Sequence, residues 1–399
     1  MSMRALNMSL TRALPDDGYA GTLVARVWRP GVHAGPAVVV VRSDGVYDIT
    51  ADFATVSTLL EREDLVQALR AVIGERIGSV EDILANSDES QRDLRAPFFL
   101  APCDLQVVKA AGVTFAASLI ERVIEEQAGG DPAKAQAVRE TVKAQIGSDL
   151  SAIRPGSEQA QALKRLLLQQ GIWSQYLEVG IGPDAEVFTK APVLASVGTG
   201  ADVGIRADSS WNNPEPEVVL AVNSLGRIVG AALGNDVNLR DIEGRSALLL
   251  GKAKDNNASC AIGPFIRLFD ETFNLDDVRA EVVHLTVEGV DGFELHGINS
   301  MSQISRDPQE LVAQTIAAHQ YPDGFMLFLG TLFAPTQDRG EPGGGFTHKL
   351  GDRVSIRSTH LGELCNRVTH SEQAAPWRFG LRAFINNLAA RGLLGNGAL

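Results

Sequence analysis

Two glutamates and an aspartate are the side chains of this sequence whose spacing most invites chemistry. Asn213-Pro214-Glu215-Pro216-Glu217 leads into the apolar run Val218–Val222. Prolines on either side of Glu215 forbid a helix and suit extended backbone entering a strand. Residues two apart on such a chain point to one face, roughly 6.5 Å from each other. The two carboxylates can therefore converge on one hard cation. The chain then turns over Asn223–Gly226, returns through Arg227–Leu233 and reaches Gly234-Asn235-Asp236 at the same end of the hairpin. Two registers are open. A direct one brings Asp236 to the face of the glutamates; one shifted by a single residue at the turn needs a bulge to restore that face. All-oxygen ligands favour Mg²⁺, with Mn²⁺ or Ca²⁺ as substitutes, over zinc or copper. Three carboxylates leave about three octahedral positions for water or a chelating substrate. On spacing alone, strand-edge charges on a solvated face are an equally good reading.

The elements around this hairpin must hold it. Gly35–Thr50 reads as a hairpin, with Ser43-Asp44-Gly45 between two β-branched runs. Thr55–Gly74 reads as one helix with Leu59, Leu60, Leu65, Leu69 and Val72 on a face. Pro97 and Pro102 then mark a connector, which sets a small N-terminal α+β domain at 1–100 apart from 101–399. Phe115–Gln127 has helical spacing. Asp131-Pro132 supplies a cap and a proline at the first helical position for a helix reaching Gln145, and a further helix covers Ser157–Gln170. Together these form a helical insertion at about 116–175. From Val187 the texture is of short strands, among them Val193–Val197, Val218–Val222, Arg227–Leu233, Val282–Val287 and Arg353–Arg357. The fold class is α+β: a β-rich mixed roll or barrel with a helical insertion and a small N-terminal domain.

Composition narrows the partners. The 399 residues carry a net charge of −13, which repels nucleic-acid phosphates and anionic membrane surfaces. An anionic substrate would need local cations to enter. Cys103, Cys260 and Cys365 have no metal-type or disulfide-type spacing and suit buried thiols in a reducing compartment. No run of about 18 apolar residues is present. The expectation is a cytoplasmic protein acting on a small molecule, with neither nucleic acid nor membrane as partner. His296, His348 and His360 lack any supporting constellation.

The ordered motifs resemble the fumarylacetoacetate hydrolase superfamily. They are Phe188-Thr189-Lys190, Pro214-Glu215-Pro216-Glu217, Gly234-Asn235-Asp236-Val237 with Arg240-Asp241, and Gly251-Lys252. Ile262-Gly263-Pro264, Asn299-Ser300-Met301-Ser302, Gly330-Thr331 and Leu350-Gly351-Asp352 follow in the same order, so the resemblance runs over about 105–370. It implies a fumarylacetoacetase C-terminal-like β-roll, a homodimer or higher homo-oligomer, and a divalent ion on Glu215, Glu217 and Asp236 that chelates a 2-oxo acid. The catalytic lysine of the family's glycine–lysine motif corresponds to Lys252, with Lys254 as the alternative. The hydrolases carry a histidine after a glycine-and-aromatic motif. Here Gly112-Val113-Thr114-Phe115 is followed by Ser118, Glu121, Arg122 and Glu125 instead. This start is similar to the family's sugar-acid dehydratases, which convert 2-keto-3-deoxy-pentonates of the D-xylonate or D-arabinonate type to 2,5-dioxopentanoate in oxidative pentose catabolism.

The chemistry so implied is that of a hydro-lyase. A bound Mg²⁺ would neutralise the developing enolate. Lys252 would take a C3 proton as base, and Glu125 or Glu121 would protonate the departing C4 hydroxyl. Ser118, Lys190, Thr331 and Arg240 are the candidate substrate-binding side chains. Each has a plain counterpart: a surface lysine, a solvated helix face, a strand-end packing residue or a structural ion pair. Two other activities fit the superfamily, acylpyruvate C–C hydrolysis and oxaloacetate-type decarboxylation. A non-catalytic, metal-dependent sugar-acid sensor is the alternative outside enzymes.

Overall fold

The computed structural model describes residues 5–137, 139, 153–169, 171, 173–340 and 345–394. The N-terminal part contributes five strands: β1 (Leu23–Arg29), β2 (Gly35–Arg42), β3 (Gly45–Asp48), β4 (Glu75–Gly78) and β5 (Phe98–Leu100). Next come β6 (Val107–Gly112), β7 (Glu186–Ala191), β8 (Asp202–Ile205) and β9 (Asn212–Asn213). The central hairpin is β10 (Pro216–Val222) and β11 (Ile228–Asp236), followed by β12 (Asn238–Leu239) and β13 (Cys260–Leu268). The remainder are β14 (Val282–Glu288), β15 (Glu294–Ser300), β16 (Phe325–Phe328), β17 (Arg353–Ser358) and β18 (Gly362–His370).

These make two large sheets. The first runs β4-β3-β2-β1-β13-β11-β10-β16-β6-β7, with β5 on β1; the second runs β15-β14-β17-β18-β8. The N-terminal strands join the first sheet where Leu23 and Val24 face Arg267 and Ile266. Period-two alternation explains the packing. Val218, Leu220 and Val222 of β10 meet Leu285, Val354, Ile356 and Leu364 of the second sheet, while Val219 and Ala221 face the opposite core with Ile262 and Phe328. The mixed, β-rich architecture expected from sequence is thus present. Among the described residues neither sheet closes on itself, so the roll is built of open sheets.

Local expectations met different fates. The helix that starts after Asp131 is present at 132–137, and the Asp131 carboxylate accepts from the Ala133 amide at 3.0 Å. Its expected extension to Gln145 lies outside the described residues. Thr55–Gly74 divides into two helices, Val56–Leu60 and Leu65–Ala71. Between them Arg62 pairs with Asp64, and Glu61 turns away to accept from the Ser224 amide and hydroxyl. The expected strand over Val193–Val197 does not form. A turn follows Pro192, Leu194 sits at φ +65, and only Val197 bridges Ala261. Helices Ala116–Ala128, Glu158–Gln169 and Gln175–Ile181 fill the connection between β6 and β7. No described helix is long and apolar enough to cross a membrane, and all three cysteines are free and buried.

Candidate active site

The site is a ladder of side chains on one face of the central hairpin and its extension. Asn213 faces Asn238, Glu215 accepts at its carbonyl from the Asp236 amide (3.1 Å), and Glu217 faces Gly234. The bulge register wins over the direct one. At the turn Val222 faces Ile228, but one step in Ala221 already faces Gly230, and this shift brings Asp236 opposite Glu215. Asn235 fixes the Glu215–Asp236 rung by accepting from the Glu215 amide at 3.1 Å. The result is a cluster in which one carboxylate oxygen each of Glu215, Glu217 and Asp236 lies within 4.8 Å of the others, all three residues being buried.

Three carboxylates so close would repel one another, and cations from three other elements hold them. Lys254, at the end of the Leu250–Lys254 helix, reaches Glu215 at 2.5 Å and Asp236 at 3.1 Å. Lys190 of β7 reaches the other Asp236 oxygen at 2.6 Å. Arg122 of the Ala116–Ala128 helix meets Glu215 at 2.6 Å and also Glu125 (2.7 Å) and Glu243 (2.8 Å). Among the described residues none makes an ion pair with Glu217; it accepts from the Gly330 amide at 2.6 Å. Gly330 has φ +89, and a Cβ there would meet the Thr114 hydroxyl at 2.1 Å, so the amide approaches because the residue is glycine.

The protonation states follow from these contacts. Burial, then Asp236 and Glu215, push the Glu217 carboxyl well above its ordinary value. Burial also pushes Asp236 up, but Lys190 and Lys254 outweigh it and hold the carboxyl low. Burial would release the Lys254 proton, yet Asp236, Glu215 and Glu243 overcome it and raise the ammonium pKa. An oxygen-only, buried, mutually repelling trio that draws in an ammonium and a guanidinium suits a hard divalent cation, and Glu215, Glu217 and Asp236 are the residues that would hold it.

The remaining candidates divide by geometry. Glu121, Glu125, Ser118, Thr331 and Arg240 line the same cavity as the triad. The Ser118 hydroxyl donates to the Phe115 carbonyl at 2.9 Å, and the Thr331 hydroxyl accepts from the Phe333 amide at 3.1 Å. Arg240 stacks on Trp211 at 4.3 Å and pairs with Glu125 at 2.7 Å and Glu121 at 3.5 Å. Three expectations need correction. Lys252 is not on the cavity; its amine pairs with Asp208 at 2.9 Å on the surface, and Lys254 occupies the site instead. Glu125 is not kept protonated: burial raises its pKa, but Arg122 and Arg240 on either side outweigh this and lower it. Lys190 is wholly buried, donating to the carbonyls of Val237 and Lys254 (3.1 and 2.6 Å), so it braces Asp236 rather than facing the cavity.

Sequence reasoning missed Glu186 and Glu243, which also line the cavity. Burial, then Glu243, lift Glu186 to about 7. Its carboxylate lies across Gly112 of the neighbouring strand, where a Cβ would come within 2.0 Å of Oε2. The signal was the two-residue spacing of Glu186, Phe188 and Lys190 on β7. Glu243 follows Arg240 by three on a single helical turn, which returns it to the same side.

Known proteins resemble this chain in part of its sequence and in its fold. Residues 184–369 match the fumarylacetoacetate (FAA) hydrolase C-terminal family. A probable 2-keto-3-deoxyxylonate dehydratase of Haloferax volcanii is 31% identical over 49% of this chain. A 2-dehydro-3-deoxy-D-arabinonate dehydratase of Saccharolobus solfataricus is 34% identical over 46% of it. The matches span 63% and 58% of those relatives' own lengths. Among solved structures, 2-keto-3-deoxy-D-arabinonate dehydratase in its apo form superposes with a TM-score of 0.61 at 20% identity, covering 87% of this chain and 99% of that one. The same enzyme complexed with magnesium and 2,5-dioxopentanoate gives an equal score, identity and coverage. At that identity the likeness establishes the fold.

Proposed function

We propose that this protein is a hydro-lyase that dehydrates a 2-keto-3-deoxy-pentonate, of the D-xylonate or D-arabinonate type, to 2,5-dioxopentanoate with Mg²⁺. The observation that carries the reading is one cavity lined by the buried triad together with Lys254 and Glu186. The dehydratase relatives support it, as does the absence of any histidine among the described residues lining the cavity, which disfavours water-activated C–C hydrolysis.

When bound, Mg²⁺ supplies Lewis-acid stabilisation of the substrate's carboxylate and keto oxygens. The chain's own residues do the rest. Lys254 is the base for the C3 proton. Two of the three carboxylates that keep it protonated, Asp236 and Glu215, are those a bound cation would neutralise; burial and Arg122, opposed by Glu243, then favour the neutral amine. Glu186, lifted to about 7, is the acid that gives its proton to the departing C4 hydroxyl. C3–H and C4–OH break and water leaves, giving a C3=C4 enone; a C5 proton is then lost as C3 regains one, and the C4=C5 enol so formed tautomerises, taking a proton at C4, to the C5 aldehyde. Ser118, Thr331 and Arg240 belong to the substrate-facing wall, with Glu121 and Glu125 as partners of its arginines. Buried free thiols accord with a cytoplasmic setting, and a homo-oligomer and substitution by Mn²⁺ or Ca²⁺ are part of the same proposal.

The test is turnover of 2-keto-3-deoxy-D-xylonate with and without Mg²⁺, coupled to an aldehyde dehydrogenase. Metal-dependent aldehyde formation is expected. Pyruvate release would indicate carbon–carbon cleavage instead, and binding without turnover would indicate a sensor.

A further inference from the structure

The first rung of the ladder has no role in the chemistry above. Asn213 and Asn238 face each other directly on β9 and β12, and both line the cavity. Both are almost wholly buried, Asn213 at 2% exposure and Asn238 at 0%. Yet among the described residues neither the oxygen nor the nitrogen of the Asn238 carboxamide has a hydrogen-bond partner, and the Asn213 oxygen has none either. Asn213 uses only its nitrogen, donating to the Pro214 carbonyl at 2.9 Å. Buried carboxamides are nearly always satisfied, and a pair left open toward a cavity is costly unless a ligand completes it.

We infer that Asn213 and Asn238 form a hydroxyl-reading subsite for the distal end of the substrate. The inference rests on the proposed 2-keto acid reading. The ladder sets its position. Asn213, Glu215 and Glu217 along β9 and the entry to β10, and Asp236 and Asn238 at the end of β11 and in β12, all line the cavity at two-residue steps. The carboxamide rung therefore lies roughly 6.5 Å along from the Glu215–Asp236 rung. A 2-keto acid whose head sits at the carboxylates carries its C5 hydroxyl three carbons beyond the keto group, which is about that reach. The open oxygens of both residues accept from a hydroxyl, and the Asn238 nitrogen donates to one. Carboxamides suit this place because they bring no further charge to a site already crowded with carboxylates.

Two probes isolate the subsite, because neither has a C4 hydroxyl to lose: 5-hydroxy-2-oxopentanoate and 2-oxopentanoate. Calorimetry with Mg²⁺ should show the full chain binding the hydroxylated probe about tenfold more tightly. Asn238→Ala should erase that preference while leaving Mg²⁺ and 2-oxopentanoate affinities within about twofold. Asn238→Ser, which keeps a hydroxyl and removes less volume, should retain part of the preference. An unchanged preference in Asn238→Ala overturns the inference. So does a fall in Mg²⁺ affinity that tracks the loss of preference, since that marks a structural role. Pentonate turnover without any hydroxyl preference in the unmodified chain sinks the subsite and spares the proposed function. A preference that Asn238→Ala erases, without pentonate turnover, does the reverse. If neither probe binds, both fail.

Discussion

The strand ladder and the helix above it hold the same site by opposite means. On β10 and β11 the functional groups are fixed by backbone pairing, from Glu217 facing Gly234 to the Asp236 amide on the Glu215 carbonyl. The Ala116–Ala128 helix is bound to that ladder through charge, with Arg122 bridging Glu215, Glu125 and Glu243, and Arg240 returning to Glu125 and Glu121. The ladder supplies geometry that does not depend on what is bound. The helix supplies a guanidinium that competes for the same carboxylate oxygens a divalent cation needs. A preorganised ligand set and an exchangeable counter-charge are thus separate parts, and substitutions should tell them apart.

The largest effect should come from the ladder. Glu217→Gln removes one charged ligand while keeping the Gly330 hydrogen bond, and Mg²⁺ affinity by calorimetry should fall at least about 100-fold with the fold intact by circular dichroism. Turnover should vanish with it. Next is the contrast between two lysines. Lys254→Met should lower kcat by about 10³-fold, whereas Lys252→Met, at the surface beside Asp208, should stay within about twofold.

A pH profile sharpens the comparison further. Burial lifts Glu186 to about 7, so its protonated fraction falls as pH rises through that value. As the proton donor, Glu186 should make kcat/KM decline above about 7, or from a lower pH once a bound cation stabilises its charge. Glu186→Gln should be slow and lack this limb. The smallest effect belongs to the helix. Arg122→Met leaves Glu215 free for metal but strips Glu243 and Glu125 of a counter-charge. Tm in chelator should drop, Mg²⁺ affinity should rise about threefold, and added Mg²⁺ should restore most of the lost Tm by mass action.

What the sequence made legible follows the same division. Alternation at two-residue spacing made the Glu215, Glu217 and Asp236 face readable, since proline and β-branched neighbours permit little but strand. The register stayed open between two forms because the bulge at Ala221–Val222 depends on how the turn and the returning strand pack, not on a local residue preference. The expectation that put Lys252 ahead of Lys254 is reversed for a similar reason. Two residues apart on a helix lie about 200° around its axis, so only one faces the site, and tertiary packing decides which. Glu186 and the Asn213–Asn238 rung were hidden because their meaning lies across strands, in a partner glycine or a facing amide. The single helix expected over Thr55–Gly74 failed where Glu61 takes its hydrogen bonds from Ser224, a residue distant in sequence.

The most direct test is anomalous diffraction from crystals grown with Mn²⁺ and pyruvate. A single peak is expected within about 2.4 Å of oxygens from Glu215, Glu217 and Asp236, with Lys254 and Arg122 shifted off those oxygens and the keto acid completing the coordination. A peak elsewhere, or none while Lys254 and Arg122 keep their present ion pairs at saturating Mn²⁺, would contradict the metal site and the chemistry assigned to it.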